Sequence, residues 1–137
     1  MAKTVFDRLP YQEPMAPADV GKRIRGLGPL YRVGIGLAAI TGTIHLALGL
    51  ANLGDPLGLS FVLAGFGFFG AIALVVGEVH RRLVVAAGIP YTGAQIGAWY
   101  ALNRPAGVND LTAVEALDKL VQAALIIVLV ILLIRES

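Results

Sequence analysis

Four long apolar runs follow a polar first quarter in this chain. They cover residues 31–53, 59–79, 83–102 and about 113–134, and each is about 20 residues long, enough to cross the hydrocarbon of a bilayer as a helix. Residues 1–30 are polar and basic and are interrupted by prolines. The pattern predicts an all-α integral membrane protein, in which a four-helix bundle follows an N-terminal tail.

The tail allows two interpretations. Residues 18–25 have the length of a short interfacial helix, which would turn Lys22, Arg23 and Arg25 toward lipid headgroups. The alternative is a flexible basic tail. No hydrophobic run opens the chain, so a secretory signal peptide is not expected.

Composition supports the membrane assignment. Hydrophobic residues make up 57% of the chain and charged residues 15%, a larger apolar excess than one soluble core holds. The chain has no cysteine, which excludes disulfides, thiolate catalysis and cysteine-bound metals. We predict no metal and no cofactor. Nucleic acid is not an expected partner, because the net charge is only +2.

The basic residues predict an orientation. Nine of them fall before the first run or at its start, between the second and third runs, or after the fourth: Lys3, Arg8, Lys22, Arg23, Arg25, Arg32, Arg81, Arg82 and Arg135. With four spans, all nine lie on one side of the membrane, and only Arg104 and Lys119 lie on the other. The positive-inside rule therefore places both termini in the cytoplasm, in a plasma membrane.

Polar residues inside the runs mark a candidate pocket. Thr41 and His45 are one helical turn apart, as are Asp118 and Gln122, so each pair shares a face. Together with Gln95 they are expected in the outer half of the bundle. Polar groups at such depth are costly and are often functional.

These side chains also have a purely structural interpretation. His45 would then form an interhelical hydrogen bond with Gln95 or Gln122, and Asp118 would join a polar contact that sets helix register while Lys119 extends outward. A single histidine at mid-depth is too few for bis-histidine haem ligation.

Glycines are spaced for close helix packing. The predicted packing positions are Gly42, Gly49, Gly67, Gly70, Gly93 and Gly97, the last two forming a GxxxG match. Phenylalanines of the second run, from Phe61 to Phe69, offer either simple packing or a groove for a lipid or quinone.

Four segments carry a family resemblance: GIGLAAITGTIHLALGL, FVLAGFGFFGAIALV, GIPYTGAQIGAWYALNRP and VEALDKLVQAALIIVLV. They resemble a family of small four-helix membrane proteins from halophilic archaea whose function is unknown. The resemblance covers about residues 31–137, implies four spans in an archaeal plasma membrane, and supplies no catalytic residues. The basic tail departs from the acidic bias of halophile proteins.

The sequence is compatible with three alternative functions. The chain is small, rich in glycine and lacks a P-loop, an HExxH motif and a nucleophile–base pair, which favours a non-enzymatic accessory subunit or a component that forms oligomers with itself or other membrane subunits. The second is a small transporter or channel with an outward-facing pocket around His45, Gln95, Asp118 and Gln122. The third is a haem- or quinone-associated redox subunit that uses His45.

Overall fold

The computed structural model describes residues 17–107 and 111–135, and this part of the chain contains helices and no strand. A short helix precedes four long ones, given in chain order: α1 Pro17–Gly26, α2 Pro29–Ala51, α3 Pro56–Val76, α4 Arg81–Asn103 and α5 Ala113–Arg135. The predicted all-α class is confirmed. The helix count is five within the described residues, because the polar tail contributes α1.

Local chemistry moves the helix starts from the predicted positions. Pro29 and Pro56 occupy the first turns of α2 and α3, where a missing N–H costs nothing. The Asp55 side chain accepts a hydrogen bond from the backbone N–H of Leu57 at 2.9 Å, so α3 begins three residues before the apolar run does. Thr112 caps α5 by accepting from the N–H of Glu115 at 3.1 Å.

The turn between α3 and α4 is held by an arginine. Glu78 and His80 have φ values of 59° and 47°, and this left-handed backbone ends α3. The Arg81 guanidinium then donates to the carbonyl of Val75 at 3.1 and 3.3 Å and lies 5.1 Å from the ring centre of Tyr31. Arg81, which the sequence predicts as a cytoplasmic anchor, closes the end of α3.

The four long helices run alternately up and down. α2 packs most extensively on α3, and α5 packs on both α2 and α4, whereas α3 and α4 touch much less. Two apolar clusters fill the centre. Ala38, Phe68 and Leu125 form one, and the other consists of Val85, Val128 and Leu132. The thin α3–α4 seam leaves room for a cleft.

Three helices of the described chain, α2, α3 and α5, are long and apolar enough to cross a membrane. Large apolar side chains cover their outer faces, among them Leu63 at 64% and Leu120 at 71% exposure. Soluble proteins rarely expose so large a continuous apolar surface to water, so this surface indicates contact with lipid. α4 is as long as α2 but carries more polar side chains, including Tyr91, Thr92 and Gln95.

The predicted anchoring residues gather at one end of the bundle. Within the described residues this end holds the start of α2, the α3–α4 turn and the end of α5. It carries Lys22, Arg23 and Arg25 of α1 together with Arg32, Arg81, Arg82 and Arg135. Lys3 and Arg8 lie outside the described residues. We call this the basic end, and the other end, with Asp55 and Arg104, the far end.

Candidate functional site

A buried polar contact joins α2 to α5 near the far end. The hydroxyl of Thr41, fully buried, donates to Oδ1 of Asp118 at 2.6 Å. His45 Nδ1 lies 2.8 Å from the carbonyl oxygen of Thr41 and 3.9 Å from Asp118 Oδ1. Because a carbonyl only accepts, Nδ1 must carry the proton and donate. The described residues give Nε2, across the ring, no hydrogen-bond partner.

Lys119 extends this contact toward α4. Its ammonium lies 3.2 Å from Asp118 Oδ2 and donates to Gln122 Oε1 at 2.7 Å. Gln122, which is fully buried, donates in turn to Gln95 Oε1 at 3.0 Å. Lys119 thus points into the bundle, not outward as predicted. The ammonium offsets the carboxylate, so the Asp118–Lys119 pair carries no net charge at a depth where a lone ion would be costly.

The five predicted pocket residues therefore form one connected network: Thr41, His45, Gln95, Asp118 and Gln122. Lys119 links its two halves. His45 contacts Thr41 of its own helix and, across the helix contact, Asp118 at 3.9 Å, and neither Gln95 nor Gln122 bonds to its ring. The network draws on α2, α4 and α5.

A cleft of about 370 Å³ lies beside the network at the far end. His45, Gln95, Asp118 and Lys119 form its polar wall, and its apolar wall comes from α3 and α4, including Phe61, Ala64 and Trp99. The His45 and Phe61 rings meet edge to face at 5.5 Å, and the Lys119 ammonium lies 5.4 Å from the Trp99 ring centre. The volume is within the range of small-molecule sites.

The cleft ends inside the bundle. Tyr91 on α4 donates to the Ala64 carbonyl on α3 at 2.9 Å and packs edge to face on Phe68 at 5.2 Å. Beyond this bridge lies a separate apolar space of about 70 Å³, and no described residue lines both spaces. Among the described residues the site is thus a pocket closed toward the basic end, not a continuous pore. Gly67 makes the bridge possible, since a Cβ there would collide with the Tyr91 hydroxyl.

The predicted packing glycines fall into two groups. Gly42 and Gly49 of α2 face Gly65 and Gly58 of α3, a register that places backbone against backbone. Gly67 faces Tyr91. The remaining three, which are Gly70, Gly93 and Gly97, would meet nothing within 4 Å if given a Cβ, so they pack against no other part of the described chain.

The comparison with known protein families matches residues 23–133 to a family of unknown function, DUF7475. This match covers most of the chain, including every residue of the network. The chain belongs to DUF7475. The family assignment supplies neither an activity nor a ligand for the cleft. No curated protein and no solved structure matches this member of the family.

Sequence reasoning missed several cleft residues. The sequence pattern predicts Lys119 pointing outward and gives Trp99 no place in the pocket. The sequence did hold a signal for Trp99, which follows Gln95 by four residues, the spacing of neighbours on one helical face. Within the described residues no group of three or more metal-binding side chains occurs. His80 lies at the basic end, far from His45 along the bundle.

Proposed function

We propose that this member of DUF7475 is a small membrane transporter that binds its substrate in the cleft beside the Asp118–Lys119 network. The supporting observation is that His45, Gln95 and Asp118 converge on one cleft that is open at the far end and closed by Tyr91. Polar groups are expensive in a membrane and are typical of substrate pathways. A pocket closed halfway suits alternating access better than an open channel.

The proposal includes a topology of four spans, with α4 crossing alongside α2, α3 and α5. The basic end then faces the cytoplasm and the cleft faces outward, because basic loops are retained inside. The resemblance to small membrane proteins of halophilic archaea supports an archaeal plasma membrane as the location. The more polar composition of α4 is explained by its position against the network.

Cysteine labelling tests this topology, since the chain has no native cysteine. In intact cells, a membrane-impermeant maleimide should label Gly54→Cys and Gly107→Cys, which lie at the far end. Gly28→Cys and Val79→Cys, at the basic end, should react only after lysis. Labelling of Val79→Cys and Gly107→Cys from the same side would contradict a membrane-crossing α4.

The same cells test the outward-facing cleft. Ser60→Cys lines the cleft, whereas Ala71→Cys on the same helix lines the apolar space beyond the Tyr91 bridge. A charged, water-soluble methanethiosulfonate should modify Ser60→Cys from outside roughly tenfold or more faster than Ala71→Cys, because reaction requires a hydrated thiolate. Equal rates would contradict a cleft open only at the far end.

A second candidate function is assembly with membrane subunits or with copies of itself, as a non-enzymatic component. The observation that favours it is the outer face of α4, where exposed small residues recur at helical spacing: Ala87, Pro90, Ala94, Gly97 and Ala101. Such faces allow close helix approach in membranes. The two proposals are compatible, because four spans are few for a complete transporter.

Gly97→Leu tests the assembly. A Cβ at Gly97 meets nothing within 4 Å, so the leucine should leave the single chain folded while blocking close approach of a neighbouring helix. Native mass spectrometry should find an oligomer for the natural protein and a monomer for Gly97→Leu. Gly36→Leu, at an equally open position on α2, is the matched control and should keep the oligomer. A monomer in all three samples would contradict assembly through α4.

A further inference from the structure

Two donors in the cleft residues lack acceptors. Gln95 Nε2 and Trp99 Nε1 are buried and have no hydrogen-bond partner among the described residues. They belong to side chains one helical turn apart, both of which line the cleft. A buried donor without an acceptor is unfavourable, so the site favours a ligand that brings acceptor oxygens.

One of these donors, Gln95 Nε2, lies at the end of a chain of hydrogen bonds. Lys119 donates to Gln122, Gln122 donates to Gln95, and Gln95 Nε2 ends the chain. Each bond polarises the next, which strengthens the terminal donor. No described residue bonds to His45 Nε2, which offers an acceptor to a ligand hydroxyl.

The charges of the site disfavour an ionic ligand. Asp118 already has the Lys119 ammonium at 3.2 Å and the Thr41 hydroxyl at 2.6 Å. Lys119 already has that carboxylate and the Gln122 carbonyl oxygen. A cation or an anion would have to break this pair, and Glu115 on the cleft wall further disfavours an anion.

The walls favour a flat ring. Phe61 and Trp99 line the cleft from α3 and α4, and aromatic faces pack well on a planar ligand. The cleft lies in the seam where α3 and α4 make the fewest contacts of the adjacent long-helix pairs. An apolar tail can leave through such a seam toward lipid.

We infer that the cleft binds a neutral aromatic amphiphile with ring carbonyls, the chemistry of a membrane quinone head group. This inference rests on the proposed function, since it names the ligand class of the same cleft. A ring carbonyl would accept from Gln95 or Trp99 after a small turn of either side chain, and the ring would lie between Phe61 and Trp99.

The chain contains one tryptophan, Trp99, so the site carries its own reporter. Decylubiquinone titrated into the purified full chain in detergent should quench Trp99 fluorescence saturably. Phe61→Ala removes one ring wall, and Ala98→Leu fills the cleft from α4. Each should weaken the apparent Kd by roughly five- to tenfold, the effect of about 1 kcal/mol. Phe66→Ala, on the outer face of α3 at 62% exposure, is the matched control and should not change it.

Competing amphiphiles of equal tail length decide the ligand class. Decylbenzene, decyltrimethylammonium and decanoate should each fail to relieve the quenching at concentrations equal to the quinone. Quenching that is equal in all variants would mean partition into detergent and would overturn the inference. Stronger displacement by the ammonium or the carboxylate would overturn it in favour of an ion. In both cases fast labelling of Ser60→Cys would still uphold the outward-facing cleft, so the two proposals fail separately.

Discussion

Asp118→Leu should lower the free energy of unfolding by about 3–5 kcal/mol, because it leaves the Lys119 ammonium without its carboxylate inside the bundle. The Thr41 hydroxyl, which donates to Asp118 at 2.6 Å, also loses its acceptor. The loss is measurable by titrating SDS into mixed micelles while circular dichroism reports helix content. Glu115→Gln, a change of charge on the cleft wall, is the control and should shift stability by about 0.5 kcal/mol or less.

A double substitution separates the ion pair from simple packing. Asp118→Leu combined with Lys119→Met removes both charges, so it should be more stable than Asp118→Leu alone, although two residues have changed. Polar contacts in membranes often contribute less than 1 kcal/mol, because each partner finds another when the first is lost. If the Lys119 side chain can turn outward to water, Asp118→Leu will lower the free energy of unfolding by less than about 1 kcal/mol. The double substitution will then be no more stable than Asp118→Leu. That result would contradict a closed network.

The sequence predicts the features of this site that are local, but not those that depend on contacts between helices. Helix existence follows from the apolar runs, and the shared face of Thr41 with His45, or of Asp118 with Gln122, follows from a spacing of four. Both are local properties. The side chain of Lys119 is different, since its length lets the ammonium reach either the interface or Asp118. The decision between them depends on Trp99, which lies across the helix contact on α4, and on Gln122, which lies on the same helix as Lys119 and is held in place by Gln95 of α4.

The glycines show the same limit more sharply. α3 has glycine on several faces, at Gly58, Gly65, Gly67 and Gly70. Sequence spacing selected Gly67 and Gly70 as packing positions, but the helix contact uses Gly58 and Gly65, and only Gly67 of the predicted pair meets a neighbour. The antiparallel register of α2 and α3 decides which face is used. That register is set by pairs of residues distant in the chain, so no pattern within α3 reveals it.

Gly49→Ala and Gly58→Ala should each destabilise the protein by about 1–3 kcal/mol, the usual cost of overpacking. A Cβ at Gly49 would lie 2.7 Å from the Gly58 carbonyl oxygen and from the Val62 backbone nitrogen. A Cβ at Gly58 would collide with the Asn52 carbonyl. These neighbours are backbone atoms, which cannot turn aside, so α2 and α3 must separate. The same SDS titration measures the loss.

Matched substitutions on the same helices should increase stability instead of lowering it. Gly36→Ala on α2 and Gly70→Ala on α3 meet nothing within 4 Å, so each should gain up to about 1 kcal/mol from the better helix propensity of alanine. Equal losses at all four positions would show that backbone propensity, not contact, determines the outcome.

The double variant Gly49→Ala with Gly58→Ala should lose less stability than the sum of the losses in the two single variants. The two glycines face each other, so the separation forced by one methyl group already makes room for the second, and neighbouring sites couple in this way.

The separation of α2 and α3 also has a functional consequence. α2 carries Thr41 and His45, and α3 carries Phe61, so parting them moves the polar wall of the cleft away from its aromatic wall. Decylubiquinone affinity should therefore fall in Gly49→Ala and stay unchanged in Gly36→Ala, which links the glycine contact to the geometry of the site.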